Sequence, residues 1–597
     1  MLIPRKFDIN IKKERNEFLS NFGKAILKDR YLFEGEDFQD LFARVANAYA
    51  DDKNHAQRLY DYMSQLWFMP ATPILSNGGS NRGLPISCFL NEIDDSLEDI
   101  ASTLNENIWL ASKGGGIGTY WGNLRSINEP VKSNGKTSGI IPFIKIQDAM
   151  TLAISQGSLR RGSSAVYLQI SHPEIEEFID LRKPTGGDLN RKALNIHHGV
   201  IVTDKFMHAV EDNAKWQLIS PSSGKVIHEI QARNLWIKLL TTRVETGEPY
   251  ILFIDKVNAA IPEHHKKSNL FVKTSNLCSE ITLPTGKDHK GLKRSAVCCL
   301  SSLNLENFHH WQNNDIFILD IIKFLDNVLQ DFIDKAPETM RNAKYSAERE
   351  RSIGLGVMGF SSFLQMKKVP IESFLSGKWN HTIFKHIHNK VNEASNIIYK
   401  KKGPCPDAQE HNMKIRFSNT TAIAPTASIS IISNNTSPGI DPFTANSFMQ
   451  KTLSGSFCVK NKNLVKLLEE KDMNSESVWS SISTHEGSVQ HLNFLSEDEK
   501  SIFKTAYEIN QNRLIELASE RTQYISQSQS LNLFFRANAE KQYIHDVHYK
   551  AWQRGVKSLY YCRSMSIQRA EKVSHQAKYE KKITDNVNAE EECLSCQ

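Results

Sequence analysis

The sequence has no apolar run close to the length of about 18 residues that a membrane-spanning helix needs. Its first residues, 1–18, mix charged and apolar side chains and lack the continuous apolar stretch of a secretory signal peptide. These two absences argue against a membrane span and predict a cytoplasmic protein.

An excess of charge of one sign is also missing. The 73 Lys and Arg residues and 67 Asp and Glu residues leave a net charge of +6 over 597 residues. Such a balance predicts no nucleic-acid partner, although it suits an anionic small substrate. No internal repeat is present, and no low-complexity tract interrupts residues 71–561.

Cysteine is scarce, and its count of nine is odd. In a long chain from a reducing compartment, this argues against a structural disulfide framework. Free cysteines of this kind are either small buried apolar residues or reactive groups. We expect the following four to be buried and inert: Cys299, Cys405, Cys458 and Cys562.

A dinucleotide-binding loop is absent as well. Residues 114–118, Gly-Gly-Gly-Ile-Gly, allow the backbone to approach a ligand closely. Their spacing does not satisfy G-x-G-x-x-G, and no clear strand precedes them. We therefore reject a Rossmann-type dinucleotide site.

What the sequence does contain, over residues 71–561, is an alternation of short apolar or β-branched runs with helical stretches. Ala165–Ile170 and Gly199–Val202 are typical of strands, and Ile316–Ala336 is typical of a helix. The alternation predicts an α/β domain with much parallel sheet. Before it, residues 1–70 have apolar residues at helical spacing, which predicts a helical N-terminal region.

Residues 275–283 carry the most chemistry. They are rich in apolar and β-branched residues after the cysteine and end at Pro284, which predicts a short strand. On a strand, Asn276, Cys278 and Glu280 share one face, about 6.6 Å apart from one to the next. Such a row predicts a site in which the thiol reacts, the carboxylate moves a proton and the amide holds both substrate and carboxylate.

Two further cysteines, Cys88 and Cys298, lie in apolar, strand-like runs. If both lay close to Cys278, they would give the site a reducing dithiol. The spacing of the three along the chain does not determine the pairing.

Residues 562–597 form a polar tail that ends in a Cys-x-x-Cys pair, Cys593 and Cys596. Its composition predicts mobility. A metal site would need a second such pair or nearby histidines, and the tail has only His575. A swinging dithiol is the favoured interpretation.

Two shorter patterns are ambiguous on their own. Residues 424–430 place small hydroxyl side chains before an apolar run, as at a helix N-terminus that attracts phosphate, but most such sequences are ordinary caps. Tyr560 and Tyr561 are adjacent near the end of the predicted α/β domain, and such a pair indicates core packing with solvated hydroxyl groups.

Taken in order, these motifs resemble the large, catalytic subunit of class I ribonucleotide reductases. The resemblance covers nearly the whole chain, and the motifs are Ala71-Thr72-Pro73, Ser87-Cys88, Gly115-Gly116-Ile117-Gly118, Ser155-Gln156-Gly157, Asn276-Leu277-Cys278-x-Glu280, Cys298, Pro425-Thr426-Ala427-Ser428-Ile429, Tyr560-Tyr561 and the tail Cys-x-x-Cys. It implies a ten-stranded α/β barrel over residues 71–561, with Cys278 at the tip of a central finger loop.

The resemblance also implies a radical reaction that makes deoxyribonucleotides for DNA synthesis. Cys278 would become a thiyl radical and take the 3′ hydrogen of a ribonucleoside diphosphate. Glu280 would be the general base, and Asn276 would hold the substrate. Tyr560 and Tyr561 would carry the radical from a dimetal small subunit, so this chain is expected to hold no metal or other cofactor.

Reducing electrons would come from thiols. By the same resemblance, Cys88 and Cys298 would supply two electrons and form a disulfide. Cys593 and Cys596 would reduce that disulfide by thiol exchange. Thioredoxin or glutaredoxin would then reduce the tail.

Nucleotide sites are implied in the same way. Substrate contacts would come from Thr72, Ser87, Gly116, Thr426, Ala427, Ser428 and Ile429. An effector site for dNTPs or ATP, at a homodimer interface, maps to Asp95, Ser96, Leu97, Arg125 and Lys132, with Gln156 and Arg160 on the loop that relays the signal.

The sequence departs from the family in two places. Ala427 and Ile429 stand where some class I enzymes have an acidic residue and a serine, so phosphate contacts are expected mainly from backbone and hydroxyl groups. The chain also begins almost directly at the helical region that normally follows the family's ATP-cone, so no overall-activity site is expected.

Three alternatives are open. An adenosylcobalamin-dependent class II reductase shares the barrel, the Asn-x-Cys-x-Glu motif and often the tail pair, but Tyr560-Tyr561 favours class I. A glycyl-radical relative is disfavoured because no glycine follows Gly555. A non-catalytic regulatory paralogue is disfavoured because every matched catalytic residue is present.

Overall fold

The N-terminal part of the protein is helical, as expected. The structure is a computed structural model, and it describes residues 2–131, 135–154, 162–452 and 455–564. The N-terminal helices are Asn21–Arg30, Phe38–Tyr49 and Lys53–Ser64. Each begins where a side chain accepts a hydrogen bond from the first turn, the capping residues being Ser20, Asp37 and Asp52.

A mixed sheet of nine strands lies at the centre. All strands, in chain order, are β1 (Phe68–Pro70), β2 (Cys88–Glu92), β3 (Gly116–Tyr120), β4 (Ser163–Gln169), β5 (His197–Val202), β6 (Lys215–Ile219), β7 (Val226–Gln231), β8 (Tyr250–Phe253), β9 (Gly286–Lys287), β10 (Lys293–Arg294), β11 (Ala296–Asn304), β12 (Ile353–Met358), β13 (Ser447–Thr452), β14 (Gly455–Lys460), β15 (Leu533–Phe535), β16 (Ser558–Leu559) and β17 (Cys562–Ser564). The order in the main sheet is β1-β11-β2-β3-β4-β5-β8-β16, with β12 also paired to β11.

Backbone contacts close this sheet into a ring. β12 bridges Thr421, and Ile423 bridges Gln529 in parallel. Tyr560 N–H then bonds the Leu531 carbonyl at 2.8 Å, next to β16. The ring thus consists of two sets of five strands or extended segments. One set is β2, β3, β4, β5 and β8, and the other is β11, β12, residues 421–423, residues 527–531 and β16. The two sets meet in antiparallel pairs, β11 with β2 and β16 with β8, which confirms the ten-stranded α/β barrel.

Helices cover the outside of the ring, as expected where parallel strands need crossovers. Those of eight or more residues after the N-terminal region are Leu97–Ser112, Ile141–Ile154, Asp204–Glu211, Ala232–Thr246, Phe317–Lys335, Arg341–Glu350, Phe374–Lys402, Lys462–Glu470, Glu476–Thr484, Gln511–Thr522 and Lys541–Gln553. Across the part of the chain that the structure describes, none is both long and apolar enough to cross a membrane.

Residues 275–283 are not a strand, so that prediction is wrong. The chain turns at Leu277 and Cys278, and Ser279 has a left-handed conformation with φ 65°. Within the described residues, this segment takes part in no strand ladder or bridge. The segment is instead a finger loop with Cys278 at its tip, as the resemblance implies.

Side chains from both halves of the barrel hold the finger loop. On one side, the Tyr167 hydroxyl of β4 donates to the Asn276 carbonyl at 2.6 Å. On the other, Ser558 Oγ of β16 donates to the Ser279 carbonyl at 2.9 Å. Because its contacts come from opposite halves, the loop lies inside the ring.

The finger also lies directly against β3. A Cβ atom at Gly118 would stand 1.7 Å from the Ser275 carbonyl oxygen, and one at Gly116 would stand 3.2 Å from Leu277. The glycine run that excluded a dinucleotide site is therefore needed for a close approach between two parts of the chain.

We expect Gly118→Ala to lower the free energy of unfolding by about 3 kcal/mol or more, because the new methyl group overlaps backbone that cannot move alone. Thermal unfolding measures the effect. Gly377→Ala, within a helix, is the control, since its Cβ would meet the ends of two flexible side chains, Arg513 at 3.0 Å and Glu520 at 3.4 Å. A Gly118→Ala protein as stable as the Gly377→Ala protein would contradict the close approach.

Candidate active site

The finger loop brings Asn276, Cys278 and Glu280 together in the barrel interior. All three are buried, and Cys278 is 3% exposed. Asn276 Oδ1 accepts a hydrogen bond from Ile281 N–H at 3.2 Å, which folds the loop back on itself. The predicted cluster is present, but a turn creates it rather than the alternation of a strand.

Two polar atoms of this cluster have no well-formed hydrogen bond within the described residues: Asn276 Nδ2 and Glu280 Oε1. Buried polar groups are normally paired, because an unpaired one costs about 1–3 kcal/mol. A donor and an acceptor left unpaired beside a thiol are suited to a ligand with hydroxyl groups.

Glu280 has the properties of a general base near neutral pH. Burial raises its pKa to about 7, and the nearby Asn276 amide and Ser530 hydroxyl oppose part of that rise. Ser530 Oγ lies 3.2 Å from Glu280 Oε2 and also donates to the Cys278 carbonyl at 2.5 Å. Ser530 thus fixes the carboxylate relative to the thiol.

Sequence reasoning missed the residues that hold this site: Tyr167, Gln527, Ser528, Ser530 and Ser558. The run Ser526-Gln527-Ser528-Gln529-Ser530 was a usable signal, because a strand with polar residues throughout indicates polar surroundings on both faces. Nothing in the sequence says that these side chains meet the finger loop.

Cys88 and Cys298 occupy opposed positions of the antiparallel pair β2–β11. Cross-strand neighbours have Cβ atoms about 4.5–5.5 Å apart, close to the separation that a disulfide needs. Both are reduced and buried, 7% and 1% exposed. The structure thus pairs two cysteines whose pairing the spacing left open.

Of the cysteines in the described part of the chain, no other two are opposed on paired strands. Cys299, Cys405 and Cys562 are buried, as expected. Cys458 was expected to be buried but is exposed, because it lies on the outward side of the β13–β14 hairpin. Within the described residues, no group of three or more His, Cys, Asp and Glu side chains is arranged to hold a metal ion.

Tyr560 and Tyr561 lie in an aromatic group at the end of the barrel. Their ring centroids are 4.2 Å apart, and Tyr250 lies 4.8 Å from Tyr560 and 5.2 Å from Tyr561. Tyr560 belongs to the same apolar cluster as Cys278. Tyr561 is partly buried, and its hydroxyl lies 3.4 Å from His197 Nδ1. The three tyrosines thus form a group of contacting rings that joins the apolar cluster containing Cys278.

The segment around Thr426 begins a short helix, Ala427–Ile432. Thr426 has a left-handed φ of 56°, and its Oγ1 accepts a hydrogen bond from Gly439 N–H at 2.7 Å. Ser428 and Ile429 are buried. The loop follows directly on residues 421–423 of the ring, so it lies at that end of the barrel.

Of the other predicted substrate residues, Thr72 begins a short helix, Thr72–Asn77, directly after β1, and Ser87 and Gly116 lie at β2 and β3. Thr72 Oγ1 is 2.9 Å from the Tyr31 hydroxyl. The Ser87 carbonyl accepts a hydrogen bond from Gly116 N–H at 2.6 Å. Gly116 is the partner of Cys88 in the parallel pair β2–β3, so this group borders the paired cysteines.

The predicted effector residues meet at the other end of β2. Arg125 Nε lies 2.9 Å from Asp95 Oδ2. Ser96 caps the helix Leu97–Ser112, and Leu97 is 72% exposed. This group is about 23 Å at most from Cys88 along an extended strand. Other predicted residues lie outside the described ones: Lys132, Gln156, Arg160, Cys593 and Cys596.

Comparison with known protein families covers almost the whole chain. The model of the "Ribonucleotide reductase, barrel domain" matches residues 86–415 and 407–562. The model of the "Ribonucleotide reductase, all-alpha domain" matches residues 17–83. The two matches follow each other in the order in which the helices and the barrel occur.

Individual relatives agree with these matches. The ribonucleoside-diphosphate reductase large subunit of Invertebrate iridescent virus 3 is 42% identical, over 99% of this chain and 100% of that protein. A putative large subunit from Frog virus 3 is 39% identical, over 95% and 96%. The solved class Id ribonucleotide reductase alpha subunit of Actinobacillus ureae superposes with a TM-score of 0.81 at 32% identity, over 93% of this chain and 99% of that one.

These similarities discriminate among the alternatives that the sequence left open. The solved relative is a class I alpha subunit, which supports class I over the cobalamin-dependent class II. The chain belongs to the ribonucleotide reductases, as a large-subunit member of this family of oxidoreductases.

Proposed function

We propose that this chain reduces ribonucleoside diphosphates to 2′-deoxyribonucleoside diphosphates, with Cys278 as the site of a thiyl radical. The observation that carries the proposal is the finger loop, which places a thiol, a carboxyl with a pKa of about 7 and an unpaired amide together inside the barrel. Cys88 and Cys298, opposed on neighbouring strands, give the same interior a reducing pair.

In the proposed reaction, the Cys278 thiyl radical takes the 3′ hydrogen atom of the ribose and becomes a thiol. Glu280 accepts the proton of the 3′ hydroxyl, and Asn276 Nδ2 donates a hydrogen bond to the substrate. The 2′ hydroxyl then leaves as water after taking a proton from the dithiol. Glu280 suits this role because its burial holds the pKa near the operating pH.

Cys88 and Cys298 supply two electrons and become a disulfide, with one of their protons leaving in the water and the other ending at C2′ of the product. Glu280 returns its proton to the 3′ oxygen, and Cys278 returns its hydrogen atom to C3′, which restores the thiyl radical. The tail pair Cys593 and Cys596 then exchanges with that disulfide, and thioredoxin or glutaredoxin reduces the tail. All described cysteines are reduced thiols, as suits a protein of a reducing compartment such as the cytoplasm.

The radical comes from a metal-bearing small subunit, through Tyr561 and Tyr560 to Cys278. The contacts between the two tyrosine rings and the shared cluster of Tyr560 and Cys278 support this route.

Two copies of the chain pair through adjoining helices, with dNTP or ATP effectors near Asp95 and Arg125. Large apolar side chains on the helices Leu97–Ser112 and Ile141–Ile154 support this pairing, because they are exposed in the single chain: Ile108, Trp109, Ile146 and Leu152.

The test is CDP reduction with thioredoxin by the chain alone, with adenosylcobalamin, and with its metal-loaded small subunit. Activity only with the small subunit is expected. Activity with adenosylcobalamin alone would contradict the proposal and make the tyrosine pair ordinary packing. Serine at Cys593 and Cys596 should stop turnover with thioredoxin and leave a single turnover from the enzyme's own Cys88 and Cys298.

The pH dependence of catalysis should follow Glu280. A base works in its ionised form, so kcat/KM should rise about tenfold per pH unit and level off above the Glu280 pKa of about 7. Glu280→Gln should lower kcat by about 10²–10⁴-fold and remove this acidic limb. Initial rates between pH 5 and 9 measure both.

Glu106→Gln is the matched control. Burial raises the pKa of Glu106 as well, but its hydrogen bonds go to Ser295 and Asn342, outside the finger loop. It should leave the profile unchanged. A Glu280→Gln protein that keeps the acidic limb would assign that limb to another group.

A further inference from the structure

One buried carboxylate holds both ends of the finger loop. Glu92, the last residue of β2, is 2% exposed. Its Oε1 lies 2.8 Å from Lys273 Nζ, two residues before the loop begins. Its Oε2 accepts a hydrogen bond from Thr285 Oγ1 at 2.7 Å, two residues after the loop ends. The two ends of residues 275–283 are therefore joined through this one side chain.

The chain that leaves the finger loop also packs tightly on this carboxylate. Gly286 has a left-handed φ of 79°, and a Cβ atom there would overlap Glu92 Oε1. The next residue, Lys287, has its Nζ 3.1 Å from Asp94 Oδ2. Residues 285–287 are thus bound to residues 92–94, so a movement of one segment is passed to the other.

The same segment of chain leads into the predicted effector residues. Asp95 comes three residues after Glu92, at most about 10 Å away along an extended chain, and lies 2.9 Å from Arg125. Asn123, two residues before Arg125, donates to Glu92 Oε1 at 3.3 Å and to the Ile93 carbonyl at 3.2 Å. Each member of the Asp95–Arg125 pair is therefore connected to Glu92 within three residues.

A ligand at this ion pair would change its contacts. Asp95 and Arg125 are partly exposed, so a ligand can reach them. A nucleotide phosphate that binds the Arg125 guanidinium competes with the Asp95 carboxylate for its N–H groups. The two segments that carry these residues can then shift relative to each other. Because Asn123 bridges the two segments at Glu92, the Glu92 carboxylate receives that movement.

Resting on the proposed function, we propose that Glu92 is a positioning residue that transmits effector binding to both ends of the finger loop, and so to Cys278. The finger loop serves every substrate, so this effect is on the rate of reduction in general. A displacement of about 1 Å at a reacting group can change a rate about 100-fold. The contacts of this route do not lie in the predicted relay loop that contains Gln156 and Arg160.

The test is CDP reduction by the full chain with its small subunit and thioredoxin, with and without ATP, dTTP or dGTP. The effector response is the ratio of the two initial rates. Glu92→Gln keeps the shape of the side chain but removes the charge that holds Lys273. It should bring this ratio closer to one by about twofold or more, while equilibrium dialysis still shows that the effector binds.

Hydrogen exchange of the backbone amides in residues 271–287 gives a readout that does not depend on turnover. The effector should change this exchange in the original protein and leave it unchanged in Glu92→Gln. Equal changes in the two proteins would overturn the role of Glu92.

Glu350→Gln is the matched control. Glu350 is also buried, but its carboxyl accepts a hydrogen bond from Ser352 Oγ at 3.0 Å. It should keep the effector response of the original protein. If Glu92→Gln does not fold, Lys273→Met still tests the proposal, because the Lys273 side chain is 44% exposed and pairs with Glu92. Lys273→Met should also lower the effector response, and a full response there would overturn the proposal.

The possible failures are distinguishable. An effector response in Glu92→Gln equal to that of the original protein would overturn the role of Glu92 and leave the proposed function intact. If no effector changes the rate of the original protein, the proposed effector site is wrong, and this inference is wrong with it. A lack of CDP reduction in the presence of the small subunit would contradict the proposed function itself.

Discussion

Cys278→Ser is expected to lower CDP reduction by about 10⁴-fold or more, equivalent to about 5.5 kcal/mol in the barrier, while the fold and substrate binding persist. Serine has nearly the same shape as cysteine, but its O–H bond is far stronger than an S–H bond. It cannot form or regenerate the radical that takes the 3′ hydrogen. Deoxycytidine diphosphate formed in the presence of the small subunit is the readout.

Cys405→Ser is the control for this result. Cys405 is buried, as Cys278 is, but it lies outside the finger loop, with its thiol 3.6 Å from Ser418 Oγ. It should keep its activity. Full activity in Cys278→Ser would contradict the role of Cys278 as the site of the radical, and equal losses in both variants would point to a general effect of removing buried thiols.

Tyr560→Phe should also abolish turnover, again by about 10⁴-fold, because phenylalanine has no O–H group to oxidise. Phenylalanine keeps the ring that contacts Tyr250 and Tyr561, so the aromatic packing should be preserved. Substrate binding by equilibrium dialysis and thermal unfolding should match those of the original protein.

Tyr62→Phe provides the comparison. Tyr62 is buried and packs edge-on against Phe317 at 4.8 Å in the N-terminal region, away from the finger loop. Its loss of a hydroxyl should leave the rate unchanged. Turnover by Tyr560→Phe would make the tyrosine pair a packing feature and leave the radical route unexplained.

The strands and helices of the barrel could be predicted because their residues repeat at the spacing of each element. Ala165–Ile170 was predicted as a strand, and Ser163–Gln169 is one. Ile316–Ala336 was predicted as a helix, and Phe317–Lys335 is one. In both elements, one face is buried, and apolar residues therefore recur at the period of the strand or the helix. This pattern can be read from neighbouring residues in the sequence.

The finger loop could not be predicted from residue pattern, and the reason is physical. Its apolar residues are buried against the inner faces of the barrel strands without pairing to them in a ladder, so their types imitate those of a strand. Its backbone carbonyl groups accept hydrogen bonds from the hydroxyl groups of Tyr167 and Ser558 instead of from a neighbouring strand, and both residues are distant in the sequence. The resemblance to a family implied the loop because it carries knowledge of such distant contacts.

Two atoms of the finger loop that lack a well-formed hydrogen bond also affect the stability of the protein: Asn276 Nδ2 and Glu280 Oε1. A buried polar atom without a well-formed hydrogen bond lowers the stability of the folded chain, and a nucleotide that pairs with it restores that stability. Ligand binding and unfolding are thermodynamically linked. The free energy of unfolding, and with it the resistance to heat and to proteases, should therefore increase with the concentration of the ribonucleotide substrate.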